Sequence, residues 1–265
     1  MAGVRGALRA ATAAALAFCA LESRCWAQTC HSGFTPAQAQ GTRLDLGYTV
    51  GAFSTSRYVG NFESLWAGAE WRSGDWSARG RWGMQRVLFN GLQRVGVGDP
   101  MVSLRRALYR ETGLQVGVAA ALEAPVGDAQ AELGMGHWMV SPMGWLELHD
   151  QRTFVAATVA YDYALGMNSL HAHGVHPLVA PMVAPALASE VMAGTRVLAS
   201  LSATARAALQ LPVGDAAHPG SPTIADGSVG VSWIDGSLGS GVELQLPLLG
   251  DPFTWRVNTR IGWGF

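Results

Sequence analysis

Hydrophobic and polar residues alternate at every second position through most of this chain. The closing segment shows it best. Trp255, Val257, Thr259, Ile261, Trp263 and Phe265 fall on one face of an extended strand, and Arg256, Asn258, Arg260 and two glycines on the other. Aromatics near both ends of the apolar face, with arginines opposite, are the layout of a membrane-spanning barrel strand. The apolar face meets lipid and the polar face a lumen.

The same period predicts about twelve strands. They cover Thr42 to Phe53, Ser64 to Arg72, Trp76 to Gln85, Met101 to Tyr109, Leu114 to Glu123, Trp138 to His149 and Thr153 to Leu165. Five more follow: Pro177 to Val191, Arg196 to Leu211, Gly227 to Ile234, Leu238 to Leu248 and the closing segment. Pro181 and Pro185 cannot donate ladder hydrogen bonds, so the strand carrying them is expected to be short or bulged.

Five tight polar turns are expected: Arg72 to Asp75, Arg110 to Gly113, His149 to Arg152, Met192 to Thr195 and Asp235 to Ser237. Longer connections fall at about 53–63, 86–100, 125–137, 166–176 and 212–226, with a shorter one near 249–252. Short and long alternate. With both termini periplasmic, every tight turn is periplasmic and every long loop external, the loop sorting of an outer-membrane barrel. The fold class expected is therefore all-β, a transmembrane antiparallel barrel. An even strand count lets the sheet close, which hydrocarbon demands because each backbone N–H and C=O must be paired within the protein.

The other end of the chain agrees with this compartment. Arg5 and Arg9 precede an apolar stretch from Ala10 to Leu21, and Cys25-Trp26-Ala27 offers an exit site for cleavage after Ala27. That stretch is too short for a membrane anchor. The expected division is a signal peptide at 1–27, a periplasmic N-terminal segment at 28–41 and a barrel at 42–265, placed in the outer membrane of a Gram-negative bacterium. Phe265, with Trp263 before it, resembles the C-terminal assembly signal of outer-membrane barrels. Lipid, the barrel-assembly machinery and a small-molecule solute are the expected partners.

Composition adds exclusions. Apolar residues make up 49% of the chain, yet beyond the signal no run approaches a transmembrane helix. All 18 basic residues are arginine and the net charge is -1, so nucleic acid is not an expected partner. Cys30 would be the sole cysteine of the exported chain, which leaves no internal disulfide.

Alternation assigns Arg43, Asp45, Arg79, Arg81, Glu123, Asp162, Arg196, Arg206, Glu243, Arg256, Asn258 and Arg260 to the lumen. Charges of both signs there admit two readings: an ion-pair network that fills the interior, or a polar wall that sets solute preference.

An internal echo follows. Ala119 to Ala129 reads AAALEAPVGDA and Arg206 to Ala216 reads RAALQLPVGDA, each at the outer end of an upward strand. Proline stops the ladder and Gly-Asp supplies turn chemistry, a sufficient structural role. Too few oxygen ligands are present for a calcium loop. The Gly96-Val-Gly-Asp99 opening of one strand, with the Leu122 to Asp128 ending of the next, resembles the outer-membrane family of the MetA-pathway of phenol degradation. The resemblance spans roughly Gly96 to the C-terminus and implies a transporter-like barrel that passes small aromatic or apolar compounds.

His171, His173 and His176 form the one local histidine cluster, and alternation puts His171 and His173 on one side of an extended segment, where they could share Zn²⁺ or Cu²⁺. Solvated loop residues are the competing reading. Cys30 and His31 are a weaker pair because adjacent side chains point apart. No Gly-x-Ser-x-Gly follows the signal, and His31-Ser32 precedes the first strand, so no nucleophile-base arrangement supports an enzyme. No cofactor is expected.

Overall fold

The computed structural model describes residues 41–54, 59–165, 185–214, 223–250 and 253–265. The described residues are almost entirely strand. β1 (Gly41–Ser54), β2 (Val59–Ser73), β3 (Trp76–Phe89), β4 (Leu92–Val97) and β5 (Met101–Glu111) come first. β6 (Leu114–Glu123), β7 (Trp138–His149), β8 (Thr153–Leu165) and β9 (Ala186–Arg196) follow, then β10 (Leu201–Pro212), β11 (Ile224–Asp235), β12 (Leu238–Leu249) and β13 (Phe253–Gly264). Strands pair antiparallel with their sequence neighbours, except that β4 and β5 both pair with β3, and β1 pairs with β13 from Arg43↔Gly264 to Phe53↔Phe253, which closes the sheet.

Thirteen strands make twelve staves. The outer half of β3 pairs with β4 (Met84↔Val97 to Phe89↔Leu92) and its inner half with β5 (Trp76↔Arg106 to Arg81↔Met101). β4 and β5 are thus one stave, interrupted where Gly98, Asp99 and Pro100 oppose only Trp82 and Gly83. Gly98 N–H still bonds Gly83 O at 2.9 Å, and the Trp82 indole donates to Gly98 O at 2.9 Å. The result is a β-bulge that re-aims Asp99.

The outward face is an apolar belt. Leu46, Leu65, Trp82, Val102, Leu104, Val159, Val229, Val231, Leu244 and Ile261 are all exposed. Such a belt requires lipid as its solvent, and Trp71, Trp76, Trp138, Tyr163, Trp255 and Trp263 add aromatics near the strand ends. At the rims the outward face turns polar: Arg86 pairs with Glu63 at 2.7 Å, and the Arg106 guanidinium lies 5.1 Å from the Trp76 ring. The expectation of a twelve-stave transmembrane barrel is borne out.

Several sequence-derived boundaries are corrected. The connection expected at 86–100 is strand: β3 runs on to Phe89, and a two-residue turn at Asn90 (φ 48°) and Gly91 (φ 79°) starts β4. Positive φ at both central residues is the hairpin geometry that Asn-Gly favours. β2 begins at Val59, not Ser64, which shortens the 53–63 loop, and β11 begins at Ile224. The turn expected at Met192 to Thr195 lies inside β9; the chain reverses at 197–200 instead. Alanine and serine run through both segments, so alternation alone could not fix the register. The proline-bearing strand expected from Pro177 to Val191 begins at Ala186, immediately after Pro185. The segments expected at 1–27 and 28–41 lie almost wholly beyond the described residues.

Candidate functional site: the inner wall

Twelve staves about 4.8 Å apart and tilted by about 40° enclose a tube roughly 24 Å across between backbones. Inner side chains take about 5 Å from each wall, so about 14 Å remains for whatever the longer residues and loops leave open. The identity of those residues therefore decides what the interior can pass.

The wall carries charged side chains on most of its staves. Arg206 on β10 is the centre of a network: Nη1 donates to Glu190 on β9 at 3.0 Å, Nη2 to Asp226 on β11 at 2.6 Å, and Nε to Glu243 on β12 at 3.2 Å. Ser228 hydroxyl donates to Glu243, Gln245 to Asp226 at 2.7 Å, and Arg256 to Gln245 at 3.3 Å. Asn258 donates to Glu243 at 3.4 Å and receives Thr49 hydroxyl at 2.9 Å, which carries the network across the β1–β13 seam. Nearer the tight turns stand Arg43 with Asp45 at 2.9 Å, Arg72 with Glu70 at 2.6 Å, and Arg105 with Glu147 at 2.7 Å. A buried charge is tolerated only when so paired.

Aromatic rings on this wall lie flat. Gly47, Gly51, Gly117 and Gly194 sit directly across from Trp66, Phe62, Trp145 and Phe154, whose rings occupy the space a Cβ would need. On the lumen side three of these rings carry an arginine. Arg81 stands 4.9 Å from the Trp66 ring, Arg105 4.2 Å from Trp145, and Arg256 5.5 Å from Phe62. The glycine-aromatic-arginine stack keeps a large ring against the wall and fixes a cation over its negative face.

The outer half of the interior carries two apolar clusters, set among the buried polar side chains of Asp162, Gln210, Asp226, Gln245 and Arg256. Phe53, Phe62, Val87, Phe89 and Phe253 form one buried cluster with Ala131 and Leu133. Met101, Met135, Met139 and Met143 form another with Ala121, Ala160, Ala164, Ala188 and Ala208. Ala131, Leu133 and Met135 belong to the β6–β7 connection, which turns into the barrel instead of away from it. Asp99, re-aimed by the bulge, holds it there: its Oδ1 accepts the Val126 and Gly127 N–H groups at 2.8 and 2.7 Å, and Oδ2 accepts the Met135 N–H at 2.6 Å. Asp128 caps the 3-10 turn Ala129–Ala131 by accepting from Gln130 and Ala131. That is the structural role expected of the first echo copy.

The sequence-assigned lumen residues separate into groups. Arg206, Glu243, Arg256 and Asn258 share the central network. Arg260 lies within electrostatic range of Asp45, Arg43 and Arg79, and Glu123 within range of Arg81 and Asp162. Asp162 is fully buried on β8, whereas Arg196 stands exposed at the turn end of β9, apart from the rest. Trp263 and Phe265 face outward with rings stacked 6.4 Å apart. Glu70, Asp99, Glu147, Glu190, Asp226 and Gln245 were missed by the sequence reading; Asp226 needed β11 extended to its true start, while Glu70, Glu147, Glu190 and Gln245 lay inside strands already expected and follow from alternation. The histidines 171, 173 and 176, with Cys30 and His31, lie outside the described residues.

No family model matches the chain, and no curated protein sequence does. Solved structures do match. The NanC porin aligns with 84% of this chain and 98% of its own at 11% identity, with a TM-score of 0.55. The KdgM porin aligns with 84% of this chain and 99% of its own at 10% identity, with a TM-score of 0.52, and has also been solved in complex with disordered oligogalacturonate. The fold is that of a porin-type barrel. At such identities the likeness extends to architecture and not to cargo.

Proposed function

We propose that the protein is an outer-membrane channel for small solutes with a preference for apolar and aromatic compounds. The observation that carries this is the pair of apolar clusters in the outer half of the interior. A barrel interior is ordinarily polar, yet here two buried clusters of phenylalanine, methionine and alanine line the side by which an external solute enters. An apolar solute loses its hydration at no cost against such a wall, while a strongly hydrated sugar would shed water for nothing in return. Beside these clusters, the arginine-carboxylate network offers hydrogen bonds to a phenolic or carboxylic group. The resemblance to the phenol-degradation family supports the same class.

Purified protein in liposomes should admit a small phenol or benzoate faster than a neutral sugar of equal mass. It should also discriminate against oligogalacturonate, an anionic chain unsuited to the apolar mouth. A barrel that admits no solute at any size sinks the proposal. One specific observation favours a second reading, a structural barrel with a filled interior: the Arg206 network and the inward β6–β7 loop both occupy the lumen. The same assay decides between them.

A further inference from the structure

The two apolar clusters of the inner wall are built from different residues. One contains phenylalanine, valine, leucine and alanine. The other has methionine as its only large buried side chain, four times, against a background of alanine. Methionine fills irregular gaps, which accounts for a single residue of this kind; four together also gather four thioethers on one wall.

The backbone gathers three of the four at one place. Met101 on β5 and Met139 on β7 are the register partners of Glu123 on β6, one on either side, so the three stand in a row on the inner face. At strand spacings near 4.8 Å the two methionine Cα atoms are about 10 Å apart, within the combined reach of two thioethers. Met135 arrives from the loop, its N–H bonded at 2.6 Å to Asp99, two residues before Met101. The three share one contact cluster and are 3%, 7% and 1% exposed, in chain order. Met143 lies four residues along β7, about 13 Å from Met139, and belongs to the next level of the wall.

We propose that Met101, Met135 and Met139 form a thioether site for a soft monovalent metal ion, Cu(I) or Ag(I), with the Glu123 carboxylate as its counter-charge. Thioether sulfur prefers these ions over Zn²⁺, Mg²⁺ or Ca²⁺, which need harder ligands. The flexible methionine side chain lets three sulfurs close on an ion without moving the sheet. Glu123 supplies the negative charge that makes a cation tolerable among apolar neighbours. The site does not depend on the solute reading, because a metal can bind whether or not solute passes.

The test uses the full-length barrel with His171, His173 and His176 changed to Ala and Cys30 to Ser, which removes the histidine cluster and Cys30 as competing ligands. Silver nitrate is titrated calorimetrically in chloride-free buffer, and Cu(I) binding is followed by competition with bicinchoninate. One Ag(I) per chain with micromolar or tighter affinity is expected, with silver-sulfur scattering in X-ray absorption. Each of Met101→Leu, Met135→Leu and Met139→Leu, which keep apolar volume, should weaken binding at least tenfold, and Glu123→Gln about as much. Met143→Leu and the outward Met84→Leu should leave it unchanged. Absence of binding in the background chain overturns the proposal, as does equal loss in Met143→Leu or no loss in the three single variants. Solute flux measured on the same proteins tells a failed metal site from a failed channel.

Discussion

Replacing Asp99 by Ala tests whether the β6–β7 loop gates the barrel. Its carboxylate accepts three backbone N–H groups, of which Gly127 and Met135 are partly buried and Val126 is exposed. Hydrogen bonds to a charged acceptor are worth about 1.5–3 kcal/mol each, so the two sheltered ones together hold the loop by about 3–6 kcal/mol. The exposed Val126 N–H can turn to water and adds little. Opposing release is the burial of Leu133 and Met135, about 1.5–3 kcal/mol apiece. The two contributions are of similar size, so the variant keeps the loop inside only by its apolar contacts. A loss of about 3 kcal/mol raises the released population by roughly a hundredfold. Amide exchange across residues 126–135 should accelerate by that order, and single-channel recording in planar bilayers should show longer or larger openings. Asp99→Asn keeps one acceptor oxygen and should fall between. Unchanged exchange would refute the latch. Faster exchange with unaltered conductance would keep the latch and refute its role as a gate.

Other outcomes follow from the wall. Arg206→Ala leaves Glu190 and Asp226 buried without their cation, which should destabilise the barrel by about 3–5 kcal/mol, read as a lower urea midpoint in lipid bilayers. Substituting leucine for Gly47 needs the space the Trp66 ring occupies, so the ring should leave the wall, lose its Arg81 stack and lower conductance. A native-like conductance with unchanged Trp66 fluorescence would count against this. Gly91→Ala forces alanine to φ 79° in the β3–β4 turn and should cost about 1 kcal/mol, seen as slower assembly of the folded barrel.

The sequence revealed the middle of each strand and blurred its ends. Within the membrane the lipid face must be apolar at every second residue, so Leu44, Leu46, Tyr48 and Ile261 declare themselves without neighbours. At the outer rim that constraint lapses, and residues such as Glu63 and Arg86 appear on the outward face while Phe53, Val87 and Phe89 turn inward. Alternation read with the apolar side always outside stops there, which is why β2, β3 and β11 came out short. The Asn90-Gly91 pair was the available signal for the β3–β4 hairpin, masked by expecting a long loop on that side.

The same loss of constraint at the rim bears on function. A residue facing lipid is determined by lipid, and one in the mid-wall network by the charge beside it. Asp99, Leu133 and the methionines answer to neither, since they sit where the wall breaks and a loop turns inward. Asp99 leaves the ladder at a bulge, and its partners, Val126, Gly127 and Met135, are 27, 28 and 36 residues away. No local pattern can encode such a meeting, because it depends on β6 stopping at Glu123 while β3 and β4 continue past it. The unequal heights of neighbouring staves create both the space for the loop and the carboxylate that holds it. Selectivity in this barrel is therefore expected to change most through substitutions near the bulge at 98–100, and least through the regular mid-strand positions that made the fold legible.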